Sequence, residues 1–198
     1  IWYNKKVFQQ CGISYPKDST SWEELIRLGQ GLTLRGDDGR VKRFGLAFDW
    51  MLDWSVFLAI HGARIYSDDG ARCEIDSPQA IQAIQFMHDL VYKYGISPTP
   101  TQEASLVLEG GWGGGQIAQL AAGRTAMAVG GRFWLCSLRR YENLDLGVVA
   151  IPGITESRLR GYGRGTVINS RSPRRKEAFQ FLLFQLGREY NELINHQA

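Results

Sequence analysis

The chain has little of what marks the commonest chemistries. Of 198 residues only three are cysteine, Cys11, Cys73 and Cys136, and no two stand in a CxxC pair. That rules out a local zinc signature and an even-numbered disulfide framework, while one bridge plus one free thiol, or no bridge, both fit. Histidine is as scarce: His61, His88 and His196 are scattered, with no H-E-x-x-H, and no G-x-S-x-G occurs. No window of about 18 apolar residues occurs, so nothing reads as a membrane span. Charge of one sign is lacking too. The net charge is +3, with 17 Arg to 6 Lys, which is too mild to demand a nucleic-acid partner. A signal segment is missing, and the chain opens at Ile1 in IWYNKKVF, which reads as mid-protein sequence. The expectation is a fragment of a longer protein.

Glycine and aromatic residues are plentiful, 23 of each, and six of the aromatics are Trp. The apolar share of 44% and charged share of 22% are those of an ordinary globular chain able to bury a core. Trp at this frequency serves either an aromatic binding surface or core packing.

Periodicity and punctuation predict a chain of mixed helices and short strands. Asn4 to Cys11 reads as a helix ended by Gly12. Ser21-Trp22-Glu23-Glu24 has capping-box spacing ahead of a Leu25, Leu28, Leu32 stripe. Turns fall at Asp37-Asp38-Gly39 and Asp68-Asp69-Gly70, and short strands at Phe44 to Phe48 and Arg72 to Ile75. A buried helix is expected over Trp54 to His61. The clearest helix runs from the cap Ser77 and Pro78 to Tyr94, with Ile81, Ile84, Met87, Val91 and Tyr94 on one face, joined by Ala80, Ala83 and Leu90. Then come a helix over Gln116 to Ala122, a buried strand over Thr125 to Val129, a helix over Arg132 to Arg140 and a strand over Leu144 to Ile151. A fourth strand is expected over Thr166 to Asn169. The last helix has the core AFQFLLFQL, Ala178 to Leu186, apolar on most sides and therefore expected to be buried. The class is α/β or α+β, with helix predominant.

Five features bear on chemistry. The histidines propose no catalytic site, and His88 reads as a surface or boundary residue. GGWGGGQ lacks the Lys-Ser/Thr of a phosphate loop and the dinucleotide fingerprint. It is a flexible loop, or a rim on which Trp112 meets a ligand. In Asp49-Trp50-Met51-Leu52-Asp53-Trp54, two carboxylates and two indoles recur four residues apart. They suit sugar binding, since carboxylates accept from hydroxyls and indoles pack on C–H faces; they also suit a glycoside hydrolase, or Asp53 capping the next helix. Arg158, Arg160, Arg164, Arg171, Arg174, Arg175 and Lys176 form a basic segment. With only Tyr162 interleaved, it reads as a solvated face rather than an anion- or nucleic-acid-binding module. Finally, TAMAVGGRFW, Thr125 to Trp134, runs a strand into two glycines, an arginine and two rings.

Taken in order, WYNKKVFQQCGI, SWEEL, CEIDSPQAIQAIQFMHDLVYKYGI, AAGRTAMAVGGRFW, LGVVAIPG, GYGRGTVI and SPRRKEAFQFLLFQ resemble one family. It is the extracellular solute-binding proteins of ABC importers, in the sugar-binding, maltose-binding-protein-like branch. The resemblance covers essentially the whole chain. It implies an α/β fold, a periplasmic-binding-protein type II lobe with many helices and a mixed sheet, as a fragment of a two-lobed protein. Residues 1–153 would be mostly the second, C-terminal lobe, 154–160 a crossover, and 161–198 a segment returning to the first lobe. The implied function is capture of a saccharide in the interlobe cleft, hinge closure, and delivery to a membrane permease. No catalysis, cofactor, metal or nucleic acid is implied. The implied location is periplasmic or extracellular, with a lipid anchor an option for the parent. The resemblance also places a stacking platform near Phe133 or Trp134, and the Asp-Trp segment, read beside it, offers a second at Trp50 or Trp54. Asp49, Asp53 and Arg132 would bond hydroxyls, Trp112 would contact the ligand, and Gly163 would admit close backbone approach. The glycine run before Gln116 is longer than the family's usual turn.

Overall fold

A computed structural model describes residues 1–106, 114–154 and 165–197. The chain divides into two compact units, Ile1–Arg160 and Gly161–Ala198.

The first unit is a mixed sheet between helices. Strand β1 (Trp2–Asn4) leads into helix α1 (Lys5–Cys11). Asn4 caps that helix by accepting from the Val7 amide, and Gly12 ends it at φ +65°. Helix α2 (Trp22–Leu32) starts at Ser21, whose hydroxyl accepts from the Glu24 amide. Strands β2 (Leu34–Arg35) and β3 (Val41–Ala47) follow, then α3 (Trp54–Ile60), α4 (Pro78–Tyr92), α5 (Pro100–Leu106) and α6 (Gly114–Ala121). Strand β4 (Thr125–Ala128) passes through one 3-10 turn, Arg132–Trp134, into α7 (Leu135–Leu138), and β5 (Leu146–Val148) completes the sheet. The strand order is β2-β3-β4-β1-β5. β3 and β4 are parallel, while β1 is antiparallel to both β4 and β5. The carboxyl ends of β3, β4 and β5 therefore lie along one edge, beside the start of β1.

Alternation along the strands divides the core in two. Tyr3, Leu46, Phe48, Met127 and Val129 join a large cluster with Phe8, Trp22, Leu25, Phe57, Met87 and Leu90. Trp2, Ala47 and Ala128 face a smaller cluster with Ile117, Leu120, Trp134 and Leu138. Helix α2 lies directly on β3: a Cβ on Gly45 would sit 2.1 Å from the Gly29 carbonyl oxygen, so only glycine fits there.

Several expectations change. Strand β1 carries no alternation signal in its three residues, yet it joins β4 to β5. Arg72 to Ile75 forms only an isolated bridge, Tyr66 to Cys73, instead of a strand. The buried face of α4 is Ala80, Ala83, Met87, Leu90 and Val91, while Ile81 and Ile84 are exposed. The alanines win because Trp22 and Phe57, which meet Phe86 edge-on or tilted, already fill the space beside this helix. Of the two cysteine states left open, the structure has the one without a bridge: Cys11, Cys73 and Cys136 are all free.

The second unit holds helices α8 (Arg175–Leu186) and α9 (Arg188–Gln197). Thr166 to Asn169, expected as a strand, has no regular structure, and no described residue of this unit forms a strand that could pair with it. The apolar helix expected to be buried has no buried residue: Phe179, Phe181, Leu183, Phe184 and Leu186 are all exposed. Within the unit it meets α9 through Phe184 and Tyr190 and lines a shallow hollow with Thr166–Asn169 through Ala178, Phe181 and Leu182, which does not cover a helix apolar on most sides.

Candidate functional site

The paired ends of β3 and β4 bring two singled-out segments together. Ala47 pairs with Ala128, and the Val129 amide donates to the Ala47 carbonyl at 2.9 Å. From there β3 runs into Asp49–Asp53 and β4 into Gly130–Trp134. The carboxyl edge of parallel strands, where the chain must leave the sheet, is where open α/β sheets hold their ligands.

The Asp49–Asp53 turn is built by its own carboxylates. Asp49 Oδ1 accepts from the Met51 amide at 2.7 Å and the Leu52 amide at 3.0 Å. Asp53 Oδ2 accepts from the Asp49 amide at 2.7 Å, and the Asp53 amide donates to the Asp49 carbonyl at 2.8 Å. Asp53 thus makes no side-chain cap on α3; it ties the turn back to its start. Trp50 is half-buried with its ring 5.2 Å from that of Phe48, and Trp54 is half-buried against the larger core. Met51, at 84% exposure, is the apolar tip of the turn.

The two rings after β4 separate cleanly. Trp134 is 2% exposed and belongs to the smaller core, while Phe133 is 55% exposed. Each ring lies over a glycine. A Cβ on Gly130 would fall 2.7 Å from three atoms of the Trp134 indole, and one on Gly131 would fall 2.7 Å from Phe133 Cδ1 and Cε1. The Trp2 indole N–H donates to the Gly130 carbonyl at 3.2 Å, fixing the loop from β1. The pair of glycines is therefore a seat for two aromatic rings. This removes Trp134 from the candidates for a ligand-facing ring, since its face is spent on Gly130 and the core. Arg132, exposed, stands beside Phe133. Trp112 and Gly163 lie outside the described residues.

A further group at this edge is Glu103 on α5, which no motif in PTQEA announces. Its Oε1 accepts from Gln116 Nε2 of α6 at 2.8 Å. Burial raises its carboxyl above the usual range, and the nearby Asp49 charge adds to that. Asp53 is pushed up to about 7, first by burial and then by the charges of Asp49 and Glu103. The Asp49 amide, which donates to Asp53 Oδ2, opposes the shift. Three carboxyls thus share one partly dry corner, at a turn whose tip is the exposed Met51. Such a corner presents hydrogen-bond acceptors and apolar faces together. Among the described residues no group of three His, Cys, Asp or Glu side chains, this corner included, is placed to hold a metal ion, and no helix is long and apolar enough to cross a membrane.

Comparison with known proteins agrees with the fold. A family model described as bacterial extracellular solute-binding protein matches residues 1–192. Among solved structures, a solute-binding protein of an ABC transporter from Thermotoga lettingae, bound with α-D-tagatose, is similar. It has 22% identity and a TM-score of 0.70, over 91% of this chain and 45% of its own. The maltose/maltodextrin-binding domain MalE from Bdellovibrio bacteriovorus, bound to maltotriose, has 24% identity and a TM-score of 0.62, over 79% and 37%. The ABC substrate-binding protein Lmo0181 from Listeria monocytogenes, in complex with cycloalternan, has 22% identity and a TM-score of 0.64, over 78% and 37%. The chain matches less than half the length of each of these three structures.

Proposed function

The chain belongs to the bacterial extracellular solute-binding proteins, and from that premise we propose that it binds a saccharide for an ABC importer. The family is one of binding proteins and implies a periplasmic or extracellular location. Residues 1–153 supply one wall of an interlobe cleft in the intact protein, and residues 161–198 return to the other lobe. Ligand that touches both walls biases the hinge toward closure, and the closed form is what a membrane permease receives.

The observation that carries this reading is the exposed Phe133 ring, held on Gly131 just after β4, while the strand paired with β4, β3, leads into the carboxylate turn. A sugar ring stacks its C–H face on Phe133, with Trp50 and Met51 at the side. Asp49, Asp53 and Glu103 accept its hydroxyls, and Arg132 donates to its ring or hydroxyl oxygens. The sugars bound by the similar structures support this class of ligand. Hydrolysis fits less well, because Asp49 Oδ1 and Asp53 Oδ2 are already engaged by backbone amides.

Titration calorimetry against mono- and oligosaccharides, with glycerol phosphates and short peptides as other solute classes, tests the reading. Heat from a saccharide is the expected result. Heat only from another class would overturn the sugar assignment.

A further inference from the structure

The exposed ring of Phe133 is carried by two glycines, the residues whose backbone is least constrained by their own side chains. Its direction therefore depends on what holds Gly130 and Gly131 from outside. The Trp134 indole lies against Gly130. The hold from another strand is Trp2, to which the sequence reading gives no role. Trp2 on β1 pairs with Ala128 of β4. Cross-strand partners point to one face, and both enter the smaller core with Trp134 and Leu138. A side chain as long as tryptophan also reaches the diagonal neighbour two residues further on. That neighbour is Gly130, and the indole N–H donates to its carbonyl at 3.2 Å. Trp2 is buried, and its one polar group is spent on this bond, so it offers a ligand nothing directly.

We propose that Trp2 is a positioning residue for the ligand-facing ring: its N–H holds the Gly130 carbonyl and thereby sets the direction in which Phe133 leaves the sheet. This rests on the reading of Phe133 as the stacking surface. The link between the two runs through the 3-10 turn. The Trp134 amide donates to the Gly131 carbonyl at 3.1 Å, and the Leu135 amide donates to the Arg132 carbonyl. Phe133 stands in the middle of that turn. With the Gly130 carbonyl held, the peptide entering the turn has one orientation. With the carbonyl released, the glycines rotate, the turn frays, and the ring must be ordered again each time ligand binds. A ring already in place binds more tightly than one ordered on binding.

Trp2→Phe tests this, because it keeps an aromatic ring in the smaller core and removes the N–H. Hydrogen exchange by NMR on the intact protein containing this chain reads the hold without ligand. The Trp134 and Leu135 amides should exchange about tenfold faster in Trp2→Phe. The Leu46 amide, which donates to the Ile96 carbonyl in the larger core, should keep its rate. Trp22→Phe, which removes an indole bond to the Pro152 carbonyl elsewhere, should leave Trp134 as protected as in the parent. In the unmodified protein the Trp2 indole hydrogen and the Trp134 amide should have protection equal to within about tenfold, since one opening frees both. That comparison decides if Trp2→Phe does not fold.

Binding supplies the second readout. Trp2→Phe should weaken saccharide affinity about threefold to tenfold, the range expected for ordering one side chain on binding. In a Phe133→Ala background it should have no further effect, because the ring it positions is gone. A parent that binds no saccharide would sink the sugar reading, and the exchange result would then uphold or overturn the hold by itself. Unchanged protection at Trp134 in Trp2→Phe would overturn the proposal. So would a free Trp2 indole hydrogen beside a protected Trp134 amide, or an affinity loss of equal size with and without the Phe133 ring.

Discussion

Gly130 lies flat against the Trp134 indole, so close that a single added carbon would fall 2.7 Å from ring atoms Cδ2, Cε2 and Cζ2. The indole in turn packs with Trp2, Ala47, Ala128 and Leu138. This contact decides which ring of the Phe133-Trp134 pair belongs to the fold and which is left for solvent.

Gly130→Ala should therefore cost about 1–3 kcal/mol, the usual penalty for overpacking a well-filled core. Gly131→Ala meets the exposed Phe133 ring, which can swing away, and should cost clearly less. Urea unfolding of the two variants side by side checks the difference. Equal costs would mean that the Trp134 ring can move as freely as Phe133.

Removing the rings should reverse the pattern between stability and binding. Trp134→Ala should lose about 3–5 kcal/mol of stability, as for other buried aromatic residues. Phe133→Ala, at an exposed site, should stay within about 0.5 kcal/mol of the parent. Thermal and urea melts measure both.

The pH dependence of stability has a definite sign. Asp53 binds its proton more tightly folded than unfolded, with the value raised from 3.8 to about 7. Between those limits the folded chain holds more protons, so Asp53's contribution to stability falls as pH rises from about 4 to about 7. Each unit of the shift is worth on the order of 1.4 kcal/mol. Asp53→Asn should flatten this part of the profile and leave the variant more stable than the parent above pH 7. A pH series of urea melts reads the slope directly. An unchanged slope in the variant would assign the titration to another group.

Trp22 is buried, and its indole N–H donates to the Pro152 carbonyl at 2.8 Å, tying α2 to the segment that follows β5. Trp22→Phe keeps most of the packing against Phe57 and Phe86 but leaves that carbonyl without its donor. The expected loss is about 1–3 kcal/mol. A urea midpoint that does not move would mean that Pro152 finds water instead.

Much of the fold was legible wherever a cap or a stop coincided with a periodic stripe. Ser21, Ser77 and Pro78 mark α2 and α4, and Gly12 ends α1, because capping is a local interaction. What stayed hidden was non-local. Strand β1 has three residues and no period of its own, and it becomes a strand because β4 and β5 pair with it. The face of α4 could not be read from spacing, since two neighbouring stripes share the 3–4 repeat and the large rings of Trp22 and Phe57 select the smaller residues. The burial of α8 could not be read from its own composition, because burial requires a covering partner. At the site, TAMAVGGRFW located the two rings, but only the packing of Gly130 on Trp134 distinguished them. Glu103 lies outside every motif and reaches the corner through α5 and its bond to Gln116.

The most direct measurement of the account is saccharide binding by the intact protein containing this chain, compared between the parent and Phe133→Ala by calorimetry. With fold stability unchanged, Phe133→Ala should weaken binding about tenfold, the worth of roughly 1.4 kcal/mol of ring stacking. Unchanged saccharide affinity in Phe133→Ala would contradict the placement of the ligand at the carboxyl ends of β3 and β4.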